Sequence, residues 1–214
     1  MELEKLESLL EEKIRELTDQ DPAHDILHFR RVVKTAKALA QREGAKMDVV
    51  VPAAWLHDFV IIPKDDPRRK HASRLSAIKA AAFLKKLDYP ELLLEEVAHA
   101  IEAHSFSANI PARTLEAQIV QDADRLDGLG AIGIARCFAT AGLLKRSFYS
   151  EQDPFCQQRL PDDGQFTLDH FFKKLFKVAE SLHTTSGRAE GQRRAQTMKK
   201  YLNDFQIEIG LLNP

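Results

Sequence analysis

His57 and Asp58 follow an apolar run at 49–56. Two polar side chains at the end of so hydrophobic a stretch need partners, because burying a charge unpaired is costly. Neighbours on a helix differ by about 100°, so both can reach one ion near a helix end. An internal His–Asp hydrogen bond without a metal explains the dipeptide equally well. A second polar site is AHDILHFRRV, where His24 and His28 stand four apart and share a helix face. It matches H-E-x-x-H with Asp25 in the glutamate position. That reading is weak: Asp is one methylene shorter than the general base of the motif, and a third ligand is missing. His28 acting alone as a ligand fits better, with Arg31 one turn on pointing to an anionic substrate. The plain alternative for Arg31 is a solvated helix charge.

The third site is IVQDADRLDGLGAIGIAR. Asp122 and Asp124 differ by about 200° round a helix and cannot both face one ion, whereas Asp124 and Asp127 can share a face. Carboxylates on the buried side of an Ile/Val/Leu helix ask for a cation, either a metal or an arginine such as Arg125 or Arg136. In chain order the candidates are His28, then His57-Asp58, then an aspartate near 124. Two imidazoles and two carboxylates from three helices can surround one divalent ion. A mixed N/O set suits Mn²⁺, Fe²⁺, Ni²⁺, Zn²⁺ or Mg²⁺, with open positions left for water.

The elements that must carry these residues are helical throughout. Leu3, Leu6, Leu10, Ile14 and Leu17 recur at three- and four-residue steps, which predicts a helix ending near Thr18. Asp21-Pro22 signals the next start, and 26–43 reads as a helix closed by Gly44. The spacing predicts further helices over 47–62, with Pro52 tolerable only in the first turn, over 72–87 and over 90–105. KDDPRRK at 64–70 reads as a charged loop. A long helical stretch at 115–144 contains Gly128, Gly130 and Gly133, which suggests a break near 126–130. After an irregular segment at 148–165, helices fit 167–183 and 187–211. Phe171, Phe172, Leu175 and Phe176 form an aromatic stripe that reads as core. No alternating strand and no repeat is visible, so the fold class is all-α.

Composition agrees with one large globular domain. Of 214 residues 44% are hydrophobic, enough for a sizeable core, and no Gly/Ser- or Pro-rich stretch separates parts. The formal net charge of -1 gives no basic field for nucleic acid. Cys137 and Cys156 lack CxxC spacing, which argues against a disulfide framework or a thiolate zinc site. The opening MELEKLESLLEEK is acidic and has no apolar signal region, and no run reaches the length of a membrane span. A cytoplasmic protein is the expectation, and a homodimer is compatible with it.

The ordered set and its flanks resemble the HD-domain metal-dependent phosphohydrolases, within them the small bacterial YedJ/YpgQ-like branch. AHDILHFRRV is similar to the first motif, AAWLHDF to the second and VQDADRLD to the last; IEAHSFS, QDADRLDGLGAIGIAR, DPF and DHFFKKL add to the likeness, which runs over 21–205. The resemblance implies an HD helical bundle at 21–145, preceded by a helix at 1–20 and followed by a helical extension at 146–214. It implies His28, His57, Asp58 and Asp124 as metal ligands, Asp124 being the aspartate before Arg in the family phrase; Asp122 is the fallback. His71 and His104 stand near places where some HD enzymes hold a second metal. A single metal, Mn²⁺ first, is the expectation, with Asp58 and His104 catalytic and His104 also touching substrate. His99, five residues before His104, is expected to pack or face solvent.

The implied activity is hydrolysis of nucleotide phosphoesters, nucleoside triphosphates in particular, to monophosphate and pyrophosphate. Arg31, Lys64, Arg68, Arg69 and Lys70 would clamp a phosphate chain, although charge runs are as often solvated faces. The rivals are a phosphodiesterase, a nucleoside monophosphate phosphatase, and a metal- and nucleotide-binding module without turnover. A purely structural helical protein would leave His57, Asp58 and Asp124 as a buried polar cluster without a reason.

Overall fold

A computed structural model describes residues 2–17, 25–62, 66–105 and 108–212. Among them there is no strand; Ser147 and Phe166 form an isolated bridge. The chain clusters into two compact units. The first is Met1–Asp124 with His183–Gly187, and the second is Arg125–Leu182 with Arg188–Pro214. Asp21, Pro22, His24 and Lys64 lie outside the described residues.

The first unit is built round α3 (Met47–Leu56), which packs on α1 (Leu3–Arg15), α2 (Ile26–Glu43) and α5 (Glu91–His104). Every residue of α3 from Val49 to Leu56 is buried. Leu6, Leu10 and Ile14 supply the buried stripe of α1, while Leu17 lies beyond the helix end and is exposed. The α2 helix starts on Asp25, whose side chain accepts from the His28 N–H at 2.9 Å, and ends at Gly44 in the left-handed region, φ 75°. The α4 helix (Ala72–Lys86) packs on α5, with Arg74–Glu102 at one end and Lys85–Glu91 at the other.

Two expectations for α3 need correction. Pro52 sits in the second turn, where its missing N–H leaves the Asp48 carbonyl without its helical donor. The Tyr89 hydroxyl donates to that carbonyl instead, and burial raises the Tyr89 pKa to about 12. The helix also stops at Leu56 rather than at 62. The His57 ring takes the Ala54 carbonyl (Nδ1 to O, 2.8 Å), the acceptor the helix would have used next. Phe59 N–H turns back to Leu56, and Val60 N–H goes to Ser76 Oγ at 2.9 Å. The charged segment is not simply a loop: Pro67–His71 forms a 3-10 turn capped by Asp66.

The α6 helix (Leu115–Asp127) carries the third polar site, and its last three residues belong to the second unit. The predicted break is there. Gly130, φ 69°, follows it, and α7 is Gly130–Leu143. A Cβ on Gly133 would stand 2.2 Å from the Gly128 carbonyl oxygen, so only glycine permits that approach. Further along the second unit, Thr167 and Leu168 N–H groups bond to Ser147 and Phe148 carbonyls, and a helix starts directly after them at 169 and passes through a π-turn, Phe171–Leu175. The α8 segment (Phe176–Glu180) continues it, so the helix expected over 167–183 is present as one helical run over 169–180 with a π-turn inside it. Phe171 and Leu175 are buried, and Phe171 stacks on Tyr201 of the last helix, α9 (Thr185–Glu208).

Candidate metal centre

Four elements of the first unit converge. The α2 helix presents His28 near its start, the end of α3 presents His57 and Asp58, the last residue of α5 is His104, and α6 contributes Asp124. His28, His57 and Asp58 offer ligand atoms that all lie within 4.8 Å of one another. The two histidine Nε2 atoms are 3.3 Å apart. Asp124 Oδ1 stands 3.7 Å from His28 Nε2 and 3.9 Å from His57 Nε2. Asp58 Oδ2 is 3.8 Å from His57 Nε2, and its Oδ1 is 3.5 Å from His104 Nε2. Ligand bonds of about 2.1 Å put adjacent donors about 3.0–3.4 Å apart and opposite ones about 4.2 Å apart, a range that brackets these separations.

Ring orientation follows from local bonds. His57 Nδ1 donates to Ala54 O at 2.8 Å and His104 Nδ1 to Ile101 O at 2.6 Å, each three residues back. Both rings therefore turn Nε2 inward, and on the neutral His57 ring that presents the lone pair a ligating histidine needs. Phe29, fully buried, lies 5.1 Å from the His57 ring and walls the site with apolar surface. Burial, outweighing the pull of Asp58, pushes the His57 pKa down to about 4, which keeps the ring neutral near pH 7. Burial works the same way on His104, but the Asp58 and Asp124 carboxylates outweigh it and raise the His104 pKa. Burial opposes ionisation of Asp124, and the three histidines overcome it and hold its carboxyl below the ordinary value.

The other sequence candidates lie elsewhere. Asp122 turns away from the histidines and accepts from the His183 and Thr184 N–H groups at 2.9 and 2.8 Å. Asp127 pairs with Arg136 at 2.6 Å, and Arg125 donates to the Ser181 carbonyl. His99 accepts the Arg113 N–H at 3.1 Å, and His71 is exposed at the start of α4. Arg31 is half-buried, three residues beyond His28. Arg68 is paired with Asp66 at 2.7 Å, Arg69 donates to the Ile62 carbonyl, and Lys70 is exposed. Sequence reasoning assigned nothing to Gln121, whose Nε2 donates to Ala103 O at 2.6 Å beside His104. The signal for it was its place in the QDAD phrase, directly before the aspartates.

This fold and this site define an HD-domain protein. The HD domain family model matches residues 26–129, which hold His28, the His57-Asp58 pair and Asp124. A Bacillus subtilis protein, YpgQ, is 30% identical over 198 residues, covering 90% of this chain and 88% of YpgQ. The chain belongs to the HD family, in the YpgQ-like branch. The structure of Bacillus subtilis YpgQ in complex with ADP superposes with a TM-score of 0.75 at 28% identity, covering 95% of this chain and 98% of that one. An HD-superfamily hydrolase from Bacillus thuringiensis gives a TM-score of 0.77 at 28% identity, covering 98% and 99%. No single described helix is long and apolar enough to cross a membrane.

Proposed function

We propose that this chain is a metal-dependent phosphohydrolase of nucleotides, with nucleoside triphosphates cleaved to monophosphate and pyrophosphate. One observation carries the reading: ligand atoms of His28, His57 and Asp58 lie within 4.8 Å of one another, and Asp124 Oδ1 stands 3.7 and 3.9 Å from the Nε2 atoms of the two histidines. Such donors fit a divalent cation, Mn²⁺ first, held by His28, His57, Asp58 and Asp124. When bound, that cation supplies a lowered pKa for water and an offset for charge on phosphoryl oxygens. Asp58 bridges the ligand set to His104, and His104 Nε2 holds or moves a proton at the edge of the site. Arg31, one turn beyond His28, and Lys70 bind phosphate oxygens. The ADP on the YpgQ structure supports a nucleotide as the ligand class. Unpaired thiols at Cys137 and Cys156 suit a reducing cytoplasm.

A second reading has its own support. Arg68 and Arg69 are each engaged within the fold, which leaves less charge for a long phosphate tail. A nucleoside monophosphate phosphatase or a phosphodiesterase needs less. Rates on a matched dNTP, dNDP and dNMP series with Mn²⁺, read as phosphate and pyrophosphate release, separate the two. Triphosphates should be fastest and yield pyrophosphate. A clear preference for monophosphates or a cyclic diester would reject the triphosphate assignment, and no release from any of them would leave a binding module.

A further inference from the structure

Gln121 is buried, and both ends of its amide are used. Its Nε2 donates to the Ala103 carbonyl at 2.6 Å, and its Oε1 faces His183 Nε2 at 2.6 Å. A carbonyl can only accept, so the amide orientation is settled and His183 Nε2 must carry the proton. Ala103 lies in the last turn of α5, where carbonyls have no helical donor. His104 takes one of these orphans, Ile101 O, with its own ring, and Gln121 takes Ala103 O. Gln121 is also one turn before Asp124 on α6, so a single side chain ties the Asp124 helix to the residue beside His104.

The segment that holds Gln121 in turn is itself firmly fixed. Asp122, fully buried, accepts from the N–H groups of His183 and Thr184 and from Thr184 Oγ1, the last two at 2.8 Å. Ser186 donates through N–H and Oγ to Glu43, both at 2.6 Å. A Cβ at Gly187 would stand 2.4 Å from Asp122 Oδ2, so this turn closes on the carboxylate only with glycine there. Gln121 and Asp122 thus face the 183–187 segment from one helix, while Asp124 faces the histidines. Nothing in this arrangement needs a His–Gln–carbonyl chain for helix formation. Its effect is to hold α5 and α6 at one separation.

We propose that Gln121, oriented by His183, is a positioning residue that sets the distance between Asp124 and the Asp58–His104 side of the metal centre. The proposal rests on that centre binding a divalent cation. Removing the amide lets α6 drift from α5 and spreads the donors, and losses in metal affinity of about tenfold or more are usual when such supports are lost.

The test is Mn²⁺ binding by isothermal titration to the full chain, with four proteins. Gln121→Met keeps the side-chain length and removes both hydrogen bonds; it should raise the Mn²⁺ Kd about tenfold. His183→Phe leaves the Ala103 bond in place and should raise it less. Ile14→Val, a core truncation on α1, is a destabilised control and should match the unmodified protein. Unchanged Mn²⁺ affinity in Gln121→Met, or an equal loss in Ile14→Val, overturns the positioning role while leaving the metal centre intact. Absence of Mn²⁺ binding by the unmodified protein overturns the metal centre and the positioning role together.

Discussion

Two buried polar clusters of this protein are built on opposite terms. In the second unit, Asp169 is fully buried, takes two bonds from the Arg159 guanidinium and a third from the Asp162 N–H, and so has its charge offset by the chain itself. Asp153 completes that loop by accepting the Gln157, Gln158 and Arg159 N–H groups. In the first unit, Asp58 and Asp124 face imidazole nitrogens at 3.5–3.9 Å, and the His28 and His57 Nε2 atoms stand 3.3 Å apart. One cluster is neutralised by its own arginine; the other gathers His28, His57 and Asp58 ligand atoms at a spacing that can hold a metal ion. A carboxylate bonded by a guanidinium contributes to folding; imidazoles and carboxylates gathered in one place with shifted pKa values have the pattern of a site of chemistry.

That contrast is most sharply probed by substitution in each cluster. Asp169→Ala should lose about 3 kcal/mol of stability, because Arg159 and the Asp162 N–H lose their shared acceptor. Urea unfolding measures it, and Mn²⁺ affinity should be unchanged. Asp124→Asn should behave in the reverse way: the metal-free protein stays within about 1 kcal/mol of the parent, since burial largely offsets the favourable field of the three histidines on this carboxylate. What it loses is the stabilisation by metal, about 2.7 kcal/mol when free Mn²⁺ is one hundred times the Kd. A metal-free Asp124→Asn protein as damaged as Asp169→Ala would show that the two clusters are alike.

Smaller effects refine the same picture. Arg31→Ala should raise KM or lower kcat roughly tenfold with little change in Tm, as expected for a side chain bound to phosphate. A large Tm loss with unchanged kinetics would make Arg31 a structural charge. The smallest effect is electrostatic and lies away from the site. Glu190 bonds Arg193 and Arg194, and these hold its carboxyl down at about 2, below its ordinary 4.5. Its contribution is therefore fully present above about pH 4.5 and is lost as pH falls toward 2. The gap in urea midpoint between the parent and Glu190→Gln should be widest near pH 6 and shrink steadily below pH 4.5.

Local rules carried much of this architecture into the sequence. The Asp25 to Gly44 helix is bounded by a carboxylate that caps N–H groups and a residue free to take positive φ. The break before Gly130 was visible as three glycines in one helical pattern. Where the reading missed, a distant partner had intervened. Tyr89 rescued the carbonyl that Pro52 leaves bare, so proline could sit deeper in α3 than its own chemistry allows. The His57 ring took over the Ala54 carbonyl and ended α3 early. At the site, His28, His57 and Asp58 stood out because polar residues in apolar helices need a reason. Gln121 did not, since an amide is ordinary on any helix and its use depends on Ala103 and His183, far off in sequence.

The central claim is that the first-unit cluster is completed by one divalent ion. Equilibrium dialysis against Mn²⁺, with metal counted by elemental analysis on the unmodified protein and on Asp58→Ala, tests it most directly. One ion per chain is expected in the first and none in the second, with hydrolysis lost alongside. Full occupancy in Asp58→Ala, or no ion in the unmodified protein, would contradict it.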